Sequence, residues 1–83
     1  MKYIKYPLAT EKSIRLMESE NKLIFVVDLK STKEQIKDEI EKVFKVKVDK
    51  INTLVGPDAV KRAYVKFNKD YPAIDIATEM GLM

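Results

Sequence analysis

The sequence predicts a small α/β (α+β) domain whose elements follow the order β-α-β-α-β-β-α. Three observations support this. Residues 23–27 form an unbroken apolar run, residues 36–44 place apolar side chains at helical spacing, and residues 61–67 alternate between apolar and polar side chains. A run of five is too short for a buried helix, whereas a period of two indicates a strand. With 83 residues, 46% of them hydrophobic, the chain suits one domain spanning 1–83.

The apolar run from Leu23 to Val27 predicts the central strand. Successive side chains of a strand point to opposite faces, so a strand with one solvated face would alternate apolar with polar residues. This segment does not alternate. We therefore expect both faces of the strand to be covered and the rest of the chain to pack around it.

The N-terminal region predicts a short edge strand followed by a short helix. Residues 2–6 have β-type composition and stop at Pro7, which cannot donate a hydrogen bond within a sheet. Thr10 is a suitable N-cap, and an acidic residue in the first turn complements the helix dipole. We expect this helix to span residues 11–18.

A second helix begins at Ser31 or Thr32. Each residue can start a capping box, Ser31 with Glu34 and Thr32 with Gln35. The apolar stripe that follows predicts the face that packs on the sheet: Ile36, Ile40, Val43 and Phe44.

The C-terminal half predicts a hairpin. The apolar alternation slips near Asp49 and Lys50, which indicates a loop or bulge before a strand over residues 50–55. Residues 56–58, Gly-Pro-Asp, form a turn signal, and the alternating segment 61–67 completes the hairpin.

A final short helix is predicted from about residue 70. Asp70 is expected as its N-cap, with Pro72 in its first turn and Gly81 as its C-terminal cap. One apolar face of this helix is expected to comprise Ala73, Ala77 and Met80.

The composition excludes several kinds of catalytic and metal-binding site. The chain has no cysteine and no histidine, which removes thiol nucleophiles, Cys/His zinc sites and the commonest general base. Any catalysis would have to use carboxylates, lysines or hydroxyls, and we expect no metal and no cofactor. No stretch approaches the roughly 20 apolar residues of a membrane span, and no signal-peptide pattern opens the chain. A cytoplasmic protein is expected.

Positive charge is concentrated in two segments. Residues 1–15 contain four basic residues against one acid, and residues 59–69 contain four basic residues and no acid. Local clusters of this kind favour polyanionic partners more than the net charge of +3 alone suggests. Taken alone, however, they also fit ordinary solvated surfaces.

Five segments in register resemble the ribosomal protein L23 family of the large subunit. They are Pro7-Leu8-Ala9-Thr10-Glu11-Lys12-Ser13, Lys22-Leu23-Ile24-Phe25-Val26-Val27-Asp28, Thr32-Lys33-Glu34-Gln35-Ile36-Lys37, Val43-Phe44-Lys45-Val46-Lys47-Val48 and Ile51-Asn52-Thr53-Leu54. Residues 61–65 and 75–81 also resemble the archaeal and eukaryotic branch. The chain departs from the bacterial pattern, which carries a long basic hairpin loop where this sequence has only residues 56–58.

The resemblance implies a four-stranded antiparallel sheet in the order 1-2-4-3, with helices packed on its faces and no catalysis. It implies binding to large-subunit ribosomal RNA, contacts with neighbouring large-subunit proteins, and a position near the polypeptide exit tunnel. There the family helps to dock factors that meet the nascent chain, such as the signal recognition particle. The short 56–58 turn implies no extension into the tunnel.

Candidate RNA contacts follow from the basic segments, the resemblance and polar residues in unusual places. Lys12 is expected to contact phosphate and Thr10 to position the backbone, while Lys33 and Lys37 lie one turn apart. Glu11 matches the residue that bacterial relatives use to dock a chaperone, although it also suits the helix dipole. The full RNA-binding set is Lys5, Thr10, Lys12, Arg15, Lys33, Lys37, Asn52, Thr53, Lys61, Arg62 and Lys66.

Two other classes of protein remain open at this point. A generic RNA- or protein-binding α/β module outside the ribosome fits the composition, although an RNA-recognition motif needs exposed aromatics on adjacent central strands. An acylphosphatase-like hydrolase needs an arginine in a glycine-rich anion cradle. The two glycines, Gly56 and Gly81, form no such loop.

Overall fold

A computed structural model describes residues 2–81 of the chain. Its elements are β1 Ile4–Pro7, α1 Glu11–Glu20, β2 Lys22–Val27, α2 Lys33–Phe44, β3 Val48–Val55, β4 Lys61–Phe67 and α3 Ala73–Glu79. The strands form one antiparallel sheet in the order β1-β2-β4-β3. Both the predicted succession of elements and the strand order are confirmed.

The three helices pack on the same face of the sheet. Met17 of α1, Ile36 of α2 and Ile76 of α3 belong to one buried cluster. The sheet contributes inward-facing side chains to it, among them Phe25 of β2 and Val65 of β4, both fully buried. The hydrophobic core thus lies between a helical layer and one side of the sheet.

The second face of β2 is covered without a helix. Ile24 and Val26 point away from the core cluster, yet they are only 3% and 4% exposed. Their direct neighbours are Tyr64 and Arg62 on β4, and Tyr6 on β1 lies opposite Val26. The expectation that both faces are covered is confirmed, and on this side we attribute the cover to side chains of the sheet itself.

Capping boxes begin α1 and α2. The Thr10 hydroxyl accepts the Ser13 N–H at 3.2 Å, and the Ser13 hydroxyl accepts the Thr10 N–H at 2.8 Å. Thr32 and Gln35 make the equivalent pair at the start of α2. The alternative register from Ser31 is not used, because the Ser31 side chain is buried and donates to a backbone carbonyl.

Two details of the helices differ from expectation. Helix α1 continues to Glu20, two residues beyond its predicted end, and stops at Asn21 in the left-handed region with φ of 56°. In α2, Ile36 and Ile40 are fully buried, but Val43 is 50% exposed, so its placement in the buried stripe was wrong. Near the end of α2 it is the adjacent Phe44 that packs against the core.

The predicted N-cap of α3 was also wrong. Asp70 lies in a turn where its N–H donates to the Asn68 side chain, and α3 begins three residues later at Ala73. The side-chain oxygen of Asn21 accepts the Ala73 N–H at 2.6 Å and so caps the helix from a distant part of the chain. Gly81 follows α3 with φ of 80°, a conformation suited to the predicted C-terminal glycine.

The β3–β4 hairpin has the predicted irregularity and a short connection. The register between the strands shifts between Val48 and Lys50. Residues 56–60 join the strands, with the Gly56 N–H donating to the Val60 carbonyl at 3.1 Å. The chain therefore has no long loop at this position.

Candidate nucleic-acid interface

The face of the sheet opposite the helices is called the open face here. Directly paired residues of antiparallel strands point to the same side, so the register assigns its side chains. They are Tyr6 of β1; Lys22, Ile24 and Val26 of β2; Lys50, Asn52 and Leu54 of β3; and Arg62, Tyr64 and Lys66 of β4. None of these ten side chains is acidic.

Three lysines form a row across one end of the open face. Lys66 on β4 pairs directly with Lys22 on β2 and with Lys50 on β3. Like charges placed directly opposite each other destabilise a sheet, and the Glu20 carboxylate, 3.5 Å from the Lys22 ammonium, offsets this at one end only. We call these three residues the lysine row. It concentrates positive charge on neighbouring strands, where an anionic ligand would relieve the repulsion.

The remainder of the open face is mixed in character. Tyr64 lies in the middle, paired with Ile24 on one side and Asn52 on the other. Towards the opposite end from the lysine row, Tyr6 and Leu54 are 53% and 56% exposed. The face therefore passes from the lysine row through an aromatic and amide centre to an end where Arg62 lies among apolar and aromatic side chains.

Arg62 forms an ion pair with Asp58 of the β3–β4 turn. Its guanidinium lies 3.2 Å from the Asp58 carboxylate. The hydrogen bond from Arg62, assisted by the Val60 N–H, lowers the pKa of Asp58 from its usual 3.8. A phosphate that binds Arg62 has to compete with this carboxylate.

Of the sequence-predicted RNA contacts, the open face brings together Asn52, Arg62 and Lys66. Two neighbours of these residues face the other way. Thr53 pairs with the buried Ala63 and is half-buried on the helical side. The Lys61 ammonium donates to the Ser31 carbonyl at 2.5 Å, so it ties β4 to the start of α2.

Lys33 and Lys37 lie at the β3 edge of the sheet. Both are exposed on α2 and line a hollow of about 180 Å³ together with Lys50. The hollow also includes the acidic residues Glu34 and Asp49. Positive charge thus continues from the lysine row around the β3 edge onto α2.

The predicted contacts at the start of α1 form a separate group. Thr10, Lys12 and Arg15 are exposed in the helical layer, and the Arg15 guanidinium lies 2.6 Å from the Glu11 carboxylate. Lys5 is exposed at the opposite edge strand and lines a hollow with Lys61. Thr10, Lys12 and Arg15 are therefore not on the open face, whereas Lys5 lies at the irregularity of β1 and lines its hollow beside Tyr6 and Val26.

Sequence reasoning missed Lys22 and Lys50 as members of the site. Lys22 directly precedes the central apolar run, and Lys50 lies at the predicted bulge. Composition alone did not distinguish them from other surface lysines. Only the pairing register shows that both lie opposite Lys66.

Two further features of the described part of the chain bear on its class. Within residues 2–81, no helix combines the length and apolar character needed to cross a bilayer. The same residues contain no cluster of three or more acidic side chains placed to hold a metal ion.

Fold and surface define a small α+β domain with one helical layer and one open, basic sheet face. The model of the family described as Ribosomal protein L23 matches residues 2–74, which is most of the chain. The chain belongs to the ribosomal protein L23 family. It is thus a protein of the large ribosomal subunit, among ribosomal RNA and other ribosomal proteins, and its family is structural rather than enzymatic.

Proposed function

We propose that the open face binds large-subunit ribosomal RNA, with the lysine row as its main phosphate-binding element. The observation that carries the proposal is the direct pairing of Lys66 with both Lys22 and Lys50. In the free protein this arrangement is unfavourable, whereas a phosphate backbone laid across the strands offsets all three charges. Arg62 adds a fourth cation on the same face.

The β3 edge extends this surface. Lys33 and Lys37 share a hollow with Lys50, so an RNA strand that leaves the lysine row over β3 meets them next. Thr10, Lys12 and Arg15 lie in the helical layer, and we assign them to a second, separate contact with RNA. Lys5 and Lys61 border a hollow at the β1 end and would contribute charge there.

The salt dependence of binding tests the open face. A Lys22→Gln, Lys50→Gln, Lys66→Gln triple variant is compared with a Lys30→Gln, Lys42→Gln, Lys45→Gln triple of equal net charge, whose positions are all exposed. Binding to transcribed large-subunit ribosomal RNA is measured across a salt series. We expect the affinity of the open-face variant to fall less steeply with salt. The slope of log K against log salt should become less negative by about 0.7–0.9 for each phosphate contact that is lost. Equal slopes in the two variants would refute the assignment.

We further propose that α1 presents a docking surface for factors near the polypeptide exit tunnel, such as the signal recognition particle. Glu11 is exposed at the start of α1, and Ile14, one turn later, is 39% exposed. Both lie in the helical layer, on the side of the sheet opposite the lysine row. A domain held to RNA by its open face therefore leaves the helical layer uncovered on cytoplasmic ribosomes, and Glu11 and Ile14 would form the docking surface beside the second RNA contact at the start of α1.

Ribosome co-sedimentation tests the docking surface. Ribosomes carrying Glu11→Lys are compared with ribosomes carrying Glu18→Lys, an exposed acid on the same helix. We expect Glu11→Lys alone to reduce the amount of signal recognition particle that sediments with the ribosome. Equal recovery with both variants would remove Glu11 from the docking surface without affecting the RNA-binding proposal.

A further inference from the structure

Tyr64 occupies the centre of the open face on the interior strand β4. Its direct neighbours across the strands are Ile24 on β2 and Asn52 on β3. Arg62 and Lys66 lie two residues before and after it on the same face, each about 6.6 Å away along the strand. The tyrosine is thus surrounded by an apolar side chain, an amide and two cations.

The surroundings of Tyr64 leave it partly accessible. Tyr64 is half-buried, and the Asn52 side chain beside it is exposed. Ile24, on its other side, is 3% exposed although no helix covers this face. The tyrosine adds an aromatic surface at the boundary with solvent.

This combination suits a single nucleobase. An aromatic ring stacks on the face of any base, and an amide can both donate to and accept from a base edge. Lys66 and Arg62 lie on either side of the ring, where they can meet the phosphates before and after the stacked nucleotide once a phosphate replaces Asp58 at Arg62. The four groups come from adjacent strands of one sheet, so they are held in fixed relation to one another.

We infer that Tyr64 stacks on an unpaired nucleobase, with Asn52 on its edge and Arg62 and Lys66 on the flanking phosphates. The inference rests on the proposed RNA binding by the open face and adds the class of RNA that is bound. Bases inside an A-form duplex are stacked on both faces, and the deep, narrow major groove keeps side chains from their edges there. The ligand is therefore RNA with an accessible unpaired nucleotide rather than an uninterrupted helix.

A uniform duplex is the alternative ligand. Duplex RNA is recognised through its phosphates, its 2′-hydroxyls and its shape, and such binding would use the lysine row without any aromatic contact. Binding of an unpaired base depends on the aromatic ring of Tyr64, whereas binding of a duplex does not. A substitution that removes the ring while keeping an apolar side chain over Ile24 distinguishes them.

The experiment compares two probes, a 20-nucleotide single-stranded RNA and the same strand annealed to its complement. Affinities are measured for the intact chain, Tyr64→Leu, Tyr64→Phe and the matched control Tyr71→Leu, which alters a half-buried tyrosine beside α3. We expect the intact chain to prefer the single strand, and Tyr64→Leu to lose roughly 10-fold on that probe only. Tyr64→Phe and Tyr71→Leu should keep the preference.

The outcomes separate this inference from the proposed function. Equal or tighter binding to the duplex, or an unchanged preference in Tyr64→Leu, overturns the stacking inference while leaving RNA binding by the open face in place. If neither probe binds at low salt, both the inference and the proposed function fail. Because the readout is a ratio of two affinities of one variant, a modest loss of folded protein does not imitate the expected result.

Discussion

The side-chain oxygen of Asn21 accepts the backbone N–H of Ala73 at 2.6 Å, across 52 positions of sequence. The same side chain donates through its nitrogen to the carbonyls of Phe67, Asn68 and Tyr71 at 3.2–3.3 Å. One residue thereby joins the end of α1, the end of β4 and the start of α3. It also adopts a left-handed conformation, which asparagine tolerates better than most residues.

Removing the Asn21 side chain should destabilise the fold. We predict that Asn21→Gly, which accepts the same backbone conformation, lowers the free energy of unfolding by about 2–3 kcal/mol because it leaves several polar backbone groups unpaired. Lys45→Gly is the control, since Lys45 has the same φ of 56° but an exposed side chain. Denaturant unfolding measures both. Equal midpoints for the two variants would contradict the role assigned to Asn21.

Phe25 is a large, fully buried side chain of the hydrophobic core. It is fully buried in the central strand, so Phe25→Ala should lower the free energy of unfolding by roughly 3–5 kcal/mol through the cavity it leaves. Leu54→Ala provides a comparison within the same sheet, because Leu54 is 56% exposed. Its loss should stay within about 0.5 kcal/mol. Thermal or denaturant unfolding measures both variants. If Phe25→Ala left the stability unchanged, the core would not depend on β2.

Glu39 fastens the N-terminal strand to α2. Its carboxylate accepts the backbone N–H groups of Lys2, Tyr3 and Ile4, the last at 2.9 Å. We predict that Glu39→Ala greatly accelerates amide hydrogen exchange at residues 2–4 while β4 keeps its protection. The control Glu34→Ala removes an exposed acid from the first turn of the same helix. Unaltered exchange at Ile4 in Glu39→Ala would argue against this attachment.

The Asp58 carboxyl should titrate below 3.8. The hydrogen bond from Arg62 favours the charged form, so the pKa is lowered in the folded protein relative to the unfolded chain. The stabilisation from this pair is therefore complete above pH 3.8 and is lost as the pH falls through the lower folded value. An NMR titration of the Asp58 carboxyl measures the shift, and Arg62→Gln should return the pKa towards 3.8. A pKa that does not respond to Arg62→Gln would exclude Arg62 as its main cause.

The local parts of the fold were predictable from the sequence because they depend on neighbouring residues. The capping residues of α1 and α2 lie within three positions of their partners, and the strands show their alternation directly. The cap of α3 was not predictable in this way. Its partner, Asn21, is remote in sequence, so the local sequence points instead to Asp70, the nearest residue of suitable chemistry.

The candidate site was predictable only in part, for a related reason. Charge along the chain pointed to Arg62 and Lys66, but the cations beside them come from two other strands. Whether Lys22 and Lys50 lie opposite Lys66 is decided by the register of three strands. A shift of one residue in that register would turn Lys66 to the helical side.

The strand order also governs how the protein can form while it is being synthesised. The central segment Leu23–Val27 follows its first partner, β1, in the chain, but its second partner, β4, lies more than thirty residues later. Domains tend to fold as units during synthesis. One edge of the most apolar segment of the nascent chain therefore stays unpaired until residues 61–67 and α3 have emerged. A pause in translation before residue 61 would leave it exposed, and would favour aggregation over folding.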